Sequence, residues 1–142
     1  MTTYLDTSFL VSLYTPDAHS QAAARRIRLA PLPLVLTPLC ELELVNALHL
    51  RVFRKELTKT QTRLARRTFQ EDMDAGVFSV KPLPAGLFDK AKAIADRYTA
   101  ALGGRSLDIT HVASALLVGA TTFLSFDDRQ RALAAAVGLS IT

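Results

Sequence analysis

Thr3-Tyr4-Leu5-Asp6-Thr7-Ser8-Phe9-Leu10-Val11 is the stretch on which the reading of this chain turns. Thr3-Tyr4-Leu5 reads as a short strand. Ser8 to Tyr14 follows as a helix, with Asp6 and Thr7 at its mouth. The rest of the chain repeats this alternation of strand and helix, which predicts an α/β fold.

Pro16-Asp17 starts a second helical stretch, Ala18 to Leu29, which Pro31 and Pro33 stop. Leu34-Val35-Leu36-Thr37 is an apolar run of buried-strand type. Pro38 begins a long helix to about Phe53, with Leu42, Val45, Leu48 and Val52 on one stripe. Thr58 is the N-cap of a helix to about Asp74. Val77-Phe78-Ser79-Val80 is strand-like. A helix from Leu87 to about Ala101 stops at Gly103-Gly104. Leu107-Asp108 opens another through Val118. Thr122 to Phe126 is a fourth strand, Asp127 leads a last helix to about Val137, and Leu139-Ser140-Ile141 is a fifth strand. The pattern predicts an α/β fold with a central, mainly parallel sheet of four to five short strands flanked by helices. In such sheets ligands sit at the carboxyl ends of the strands.

The chain has 142 residues, 49% of them hydrophobic, so one domain over 1–142 with a sizeable core is expected and wholesale disorder is excluded. A single cysteine, Cys40, excludes an internal disulfide framework and a Cys-based zinc cage. It lies in an apolar stretch and reads as a buried inert thiol. No membrane span and no secretory signal are expected, and the cytoplasm is the expected compartment. Lys and Arg number 17 against 13 Asp and Glu, a net charge of +4, which permits a polyanionic partner.

Most acids sit among polar residues and read as solvated helix charges. Four keep different company. Asp6 and Asp127 each follow an apolar strand, Asp108 opens an apolar helix, and Glu43 sits in Leu39-Cys40-Glu41-Leu42-Glu43-Leu44-Val45. Burying an unpaired acid is costly. In a parallel sheet Asp6 and Asp127 emerge on one edge. Glu43 leans back toward it, because helical side chains tilt N-terminally, and Asp108 closes the ring. Carboxylates so grouped raise one another's pKa, and a hard cation such as Mg²⁺ or Mn²⁺ resolves the conflict. Taken singly, Asp6, Asp108 and Asp127 also read as N-caps. Capping does not explain Glu43. Glu41 is a secondary candidate, read as a first-turn acid at the helix dipole.

At these residues the chain resembles PIN-domain proteins, specifically VapC-type toxin ribonucleases. Tyr4 to Val11 resembles the first motif of that family, Glu43-Leu44-Val45-Asn46-Ala47-Leu48 the second and Leu107 to Ala115 the third. Phe123-Leu124-Ser125-Phe126-Asp127-Asp128-Arg129-Gln130 resembles the fourth, and Leu133 to Leu139 the closing helix and glycine. The resemblance implies a PIN-like three-layer fold. It implies Asp6, Glu43, Asp108 and Asp127 as an acidic metal site holding Mg²⁺ or Mn²⁺, with Ser8 and Ser125 in support. Asp127 is preferred to Asp128 because it directly follows the strand. The resemblance further implies an endoribonuclease that cleaves RNA by metal-activated water, a VapB-like antitoxin partner and a homodimer. A non-catalytic PIN-like RNA-binding or interaction module is the alternative. A haloacid-dehalogenase-like phosphatase would need a second Asp where Ser8 stands.

Arg51, Arg54, Lys55, Lys59, Arg63, Arg66 and Arg67, opposed only by Glu56, are candidates for contacting RNA phosphates. Arg25, Arg26 and Arg28 form another cluster. Trp is absent and aromatics are sparse, so a broad base-stacking platform is not expected. His111 stands three residues after Asp108 and reads as a packed helix histidine.

Overall fold

The computed structural model describes residues 1–142. In chain order it contains β1 (Thr3–Leu5), α1 (Thr7–Tyr14), α2 (Ser20–Leu29), β2 (Leu34–Leu36), α3 (Pro38–Phe53) and α4 (Lys59–Asp74). There follow β3 (Phe78–Val80), α5 (Leu87–Leu102), α6 (Ser106–Leu117), β4 (Thr122–Leu124), α7 (Asp128–Ala136) and β5 (Ser140–Ile141). The strands form one sheet in the order β3-β2-β1-β4-β5, and every neighbouring pair is parallel. Helices α1 to α4 pack among themselves, as do α5 to α7. Right-handed crossovers put these two groups on opposite faces of the sheet, giving three layers.

Strands this short are held by burial rather than by their ladders. Leu5, Leu34, Leu36 and Phe123 are fully buried or nearly so. Each such side chain contributes about 1.5–3 kcal/mol, against a net ~0.5–1.5 kcal/mol for a hydrogen bond. Both faces of the sheet are covered, which is why these strands read as continuous apolar runs.

The sheet order places a topological switch point at β1, with β2 on one side and β4 on the other. The register pairs Thr3 with Thr122, Tyr4 with Phe123 and Leu5 with Leu124. The next residues along, Asp6 and Ser125, therefore leave the sheet side by side at its carboxyl edge, where ligands of open α/β sheets bind.

Several boundaries differ from the sequence reading. Helix α2 begins at Ser20 rather than Ala18, because the Asp17 carboxylate takes the His19 N–H at 2.8 Å and Ser20 Oγ bonds back to the Thr15 carbonyl at 2.8 Å, making a turn instead of helix. Strand β4 ends at Leu124, so Ser125 and Phe126 lie between it and Asp127. The buried residues of α3 are Cys40, Leu44 and Leu48, while Leu42 is 65% exposed. The expected stripe of Leu42, Val45, Leu48 and Val52 is thus rotated, because Cys40 packs under β1 with its thiol on the Leu5 carbonyl at 3.6 Å. Thr58 caps α4 as expected, through a reciprocal capping box with Gln61. Helix α5 closes on Gly103 at φ +71°, a left-handed cap that suits glycine.

Candidate active site at the carboxyl edge of the sheet

Asp6 is 2% exposed, yet it is well provided with donors. Its Oδ1 accepts from Ser8 Oγ at 2.8 Å and from the Phe9 N–H at 3.1 Å, and its Oδ2 accepts from Ser125 Oγ at 2.7 Å. It is the N-cap of α1. The capping role and a place among the acids are therefore compatible, since one carboxylate has lone pairs for both. Burial pushes its pKa above the ordinary aspartate value, and the bonds from Ser125, Phe9 and Ser8 work against that shift. Ser125 carries a single proton, and the charge-assisted bond to Asp6 claims it.

Glu43 lies on α3 beside the same edge. Its Oε1 accepts from Thr7 Oγ1 at 3.0 Å and is also bonded to His111 Nε2. Burial pushes Glu43 up, but the bonds from His111 and Thr7 and the positive charges of His111 and Arg105 outweigh it, and its carboxyl sits below the usual range. The rotation of α3 that buries Leu44 is what turns the preceding residue toward Thr7.

Asp108 stands in the first turn of α6, whose N-cap is Arg105, so it is not itself a cap. Its Oδ2 meets Arg105 Nε at 3.2 Å, and its side chain is 15% exposed. Gln130 Nε2 donates to its main-chain carbonyl at 3.4 Å, while Gln130 Oε1 lies 3.2 Å from Ser125 Oγ. Asp127 caps α7, accepting the Gln130 N–H at 2.9 Å, and its own N–H donates to Ser125 Oγ at 3.0 Å. Asp128, beside it, is exposed. Ser8 Oγ accepts the Phe126 N–H at 3.0 Å.

Hydrogen bonds thus link Asp6, Ser8, Ser125, Asp127 and Gln130 to the Asp108 backbone, while Glu43 joins through Thr7, the residue after Asp6. The carboxylates do not close on one another. No group of three or more His, Cys, Asp and Glu side chains stands near enough to hold a metal ion. Glu43 is drawn to His111 and Asp108 to Arg105. Arg26 Nη1 and Thr62 Oγ1 are the only buried side-chain polar atoms without a partner. The oxygens of Glu43, Asp108 and Asp127 that lack protein donors are therefore open to solvent.

His111 is the residue the sequence reading undervalued. It is 2% exposed and bonds in two directions, to Glu43 through Nε2 and to Tyr4 OH through Nδ1 at 2.9 Å. Cys40 Sγ lies 3.4 Å from Tyr4 OH and 3.7 Å from His111 Nδ1, so the thiol sits against a polar chain rather than in apolar surroundings. Burial alone lowers the His111 pKa, but its contacts with Cys40 and Glu43 carry it well above the ordinary histidine value. The signal in the sequence is its position one turn after Asp108.

The basic candidates divide. Lys59, Arg63, Arg66 and Arg67 lie exposed on α4, whose buried face is Thr62, Ala65 and Phe69. Arg54 and Lys55 are exposed just past α3. Arg51 is already engaged: Nη1 donates to Thr15 Oγ1 at 2.8 Å and Nη2 lies 3.8 Å from Asp17 Oδ2.

The fold is similar to two solved structures. One is FitAcB from Neisseria gonorrhoeae, with a TM-score of 0.68 at 15% identity over 99% of this chain and 96% of that one. Another is VapBC2 from Rickettsia felis bound to a DNA fragment from their promoter, with a TM-score of 0.65 at 14% identity over 100% of this chain and 98% of that one. No curated protein matches the sequence. A family model for the PIN domain matches residues 3–136. That match runs through all four acids and nearly the whole sequence, and by it this chain belongs to the PIN domain family.

Proposed function

We propose that this chain is a Mg²⁺- or Mn²⁺-dependent endoribonuclease, the toxin of a VapBC-type toxin–antitoxin pair. The observation that carries the reading is Asp6: a buried carboxylate at the switch point, held by three donors, with Glu43, Asp108 and Asp127 tied to the same edge. Asp6 caps α1 as well, but burial opposes its charge, and a cation held beside it favours that charge.

The donor set fits a hard divalent cation. It consists of carboxylates with hydroxyl support and no thiolate, the chemistry that Mg²⁺ and Mn²⁺ prefer. Asp6, Glu43, Asp108 and Asp127 would hold the ion, and when bound it supplies Lewis acidity toward a phosphate oxygen and a water of lowered pKa. The protein's own residues perform the positioning. Ser8, Ser125 and the Phe9 N–H orient Asp6, while Thr7 and His111 orient Glu43. Exposed arginines and lysines of α4 track the RNA backbone without reading bases. The likeness in fold to VapBC2 supports an antitoxin partner. A homodimer and a cytoplasmic setting belong to the same proposal.

One observation favours the second reading, a non-catalytic RNA-binding or interaction module: the acids do not converge closely enough to share an ion as they stand. An RNA-cleavage assay in Mg²⁺ or Mn²⁺, with EDTA as control, decides between them. Cleavage that EDTA stops, and that Asp6→Asn and Asp108→Asn abolish with the circular dichroism spectrum unchanged, is the expected result. Binding without cleavage across a broad panel of RNAs rejects the nuclease.

A further inference from the structure

Three aromatic rings form a column that starts under the acids and ends in solvent. Phe9 and Phe126 stack with centroids 5.4 Å apart and planes 6° apart, and His19 stacks on Phe126 at 4.5 Å and 8°. The inner end is anchored in the acidic edge. The Phe9 N–H donates to Asp6, the Phe126 N–H donates to Ser8, and Phe126 directly precedes Asp127. The outer ring, His19, is exposed. Phe9 is core, but a partly exposed Phe and an exposed His stacked face to face are not needed to fill one.

Beside the column is positive charge without a partner. The Arg26 guanidinium carbon lies 5.0 Å from the centre of the Phe126 ring. Arg26 Nη1 is sealed from solvent and has no acceptor. Burial lowers the Arg26 pKa first, and the charges of Arg131 and Arg25 lower it further, so three cations share one neighbourhood. None of them is in a salt bridge. Arg131 has none although Asp127 and Asp128 lie one turn earlier on its helix. Like charges and an unsatisfied guanidinium N–H call for an anion that the chain does not contain.

The geometry points to a nucleotide subsite here: one base of single-stranded RNA stacks on the outer face of His19, and its phosphate sits between Arg26 and Arg131. It rests on the endoribonuclease reading above, to which it adds the position of a nucleotide flanking the cut. Ring stacking accepts any base, so the subsite gives affinity and register rather than sequence preference.

The test is fluorescence anisotropy of the full chain in EDTA, using a short fluorescein-labelled oligoadenylate and versions carrying one abasic nucleotide at successive positions. Wild type loses about tenfold in affinity, the equivalent of ~1.4 kcal/mol, at a single abasic position. His19→Ala binds the intact oligonucleotide about tenfold more weakly and is indifferent to that abasic position, while His19→Tyr restores both. Arg26→Gln combined with Arg131→Gln flattens the slope of log affinity against log salt by about 0.7, the equivalent of one single-strand phosphate. Equal abasic penalties in wild type and His19→Ala, or an unchanged salt slope, overturn the subsite. So does preferential binding of an acidic peptide at this place in competition with the RNA. Cleavage of the same RNA by wild type in Mn²⁺ separates the two ideas. Cleavage with binding that His19→Ala leaves unaltered rejects the subsite alone, whereas neither binding nor cleavage rejects both.

Discussion

Ser125 Oγ donates to Asp6 Oδ2 at 2.7 Å across 119 positions of sequence. The bond joins the ends of two adjacent parallel strands and supplies the second oxygen of a buried carboxylate, whose first oxygen is served locally by Ser8 and Phe9. It follows from the register of β1 on β4, which sets residue 6 beside residue 125.

Ser125→Ala leaves Asp6 Oδ2 buried without its donor. The expected loss is about 1–3 kcal/mol of folding stability, read from urea denaturation. Ser125→Thr keeps the hydroxyl and stays near wild type. An alanine variant as stable as wild type would show that the bond contributes nothing.

Mn²⁺ at a hundredfold excess over its dissociation constant stabilises the fold by about 2.7 kcal/mol, and the melting temperature rises by several degrees. Asp6→Asn and Asp108→Asn lose that rise. A melting curve indifferent to Mn²⁺ in the millimolar range would count against a shared cation site.

Tyr4 and His111 behave as a unit. Tyr4→Phe strips His111 Nδ1 of its 2.9 Å partner, and His111→Leu strips Tyr4 OH and Glu43 of theirs. Each single change costs about 1–3 kcal/mol. The double variant costs less than the sum, by ~0.5–3 kcal/mol. Strict additivity in a denaturation cycle would mean that the two side chains are not coupled.

Arg51 separates from the other basic candidates. Because it bridges α3 to Thr15 and Asp17, Arg51→Ala lowers stability by about 1 kcal/mol. Charge reversal at Arg63, Arg66 and Arg67 leaves stability nearly unchanged but flattens the salt dependence of RNA binding, by ~0.7 for each phosphate that is no longer neutralised. An unaltered salt slope removes α4 from the RNA surface.

Thr58→Ala opens the capping box at the start of α4. Both bonds of the box are exposed, at 2.8 and 3.1 Å, so the change is confined to the helix end. A loss of about 1 kcal/mol is expected in thermal or urea unfolding. No loss would show that packing of Ala65 and Phe69 alone holds the helix.

Much of the architecture was legible in the residues, and the reason is local. Apolar runs, all but the first set off by Pro or Gly, located the five strands, and Thr58, Gly103 and Asp127 marked helix ends through bonds made within a few residues. Apart from the start of α2, where a local turn replaced the first helical residues, the misreadings arose where a distant partner decided the outcome. Val45 and Leu42 satisfy a helical period as well as Cys40 and Leu44 do, and only the packing of Cys40 under Leu5 chose between the two stripes. Phe126 belongs by pattern to the fourth strand, but its N–H goes to Ser8 on α1 instead of continuing the ladder.

The candidate site divides in the same way. Composition and period alone were enough to show that Asp6, Glu43, Asp108 and Asp127 stand in apolar company near strand ends and helix mouths. They also established that the chain alternates strand and helix. Which atoms meet at the sheet edge was decided in three dimensions: Ser125 on Asp6, Thr7 and His111 on Glu43, His19 on Phe126. Periodicity is a property of neighbours along the chain, set by the pitch of a helix and the pleat of a strand. Pairing across the fold depends on sheet register and helix rotation, which the burial of the whole core selects, and no local pattern encodes them.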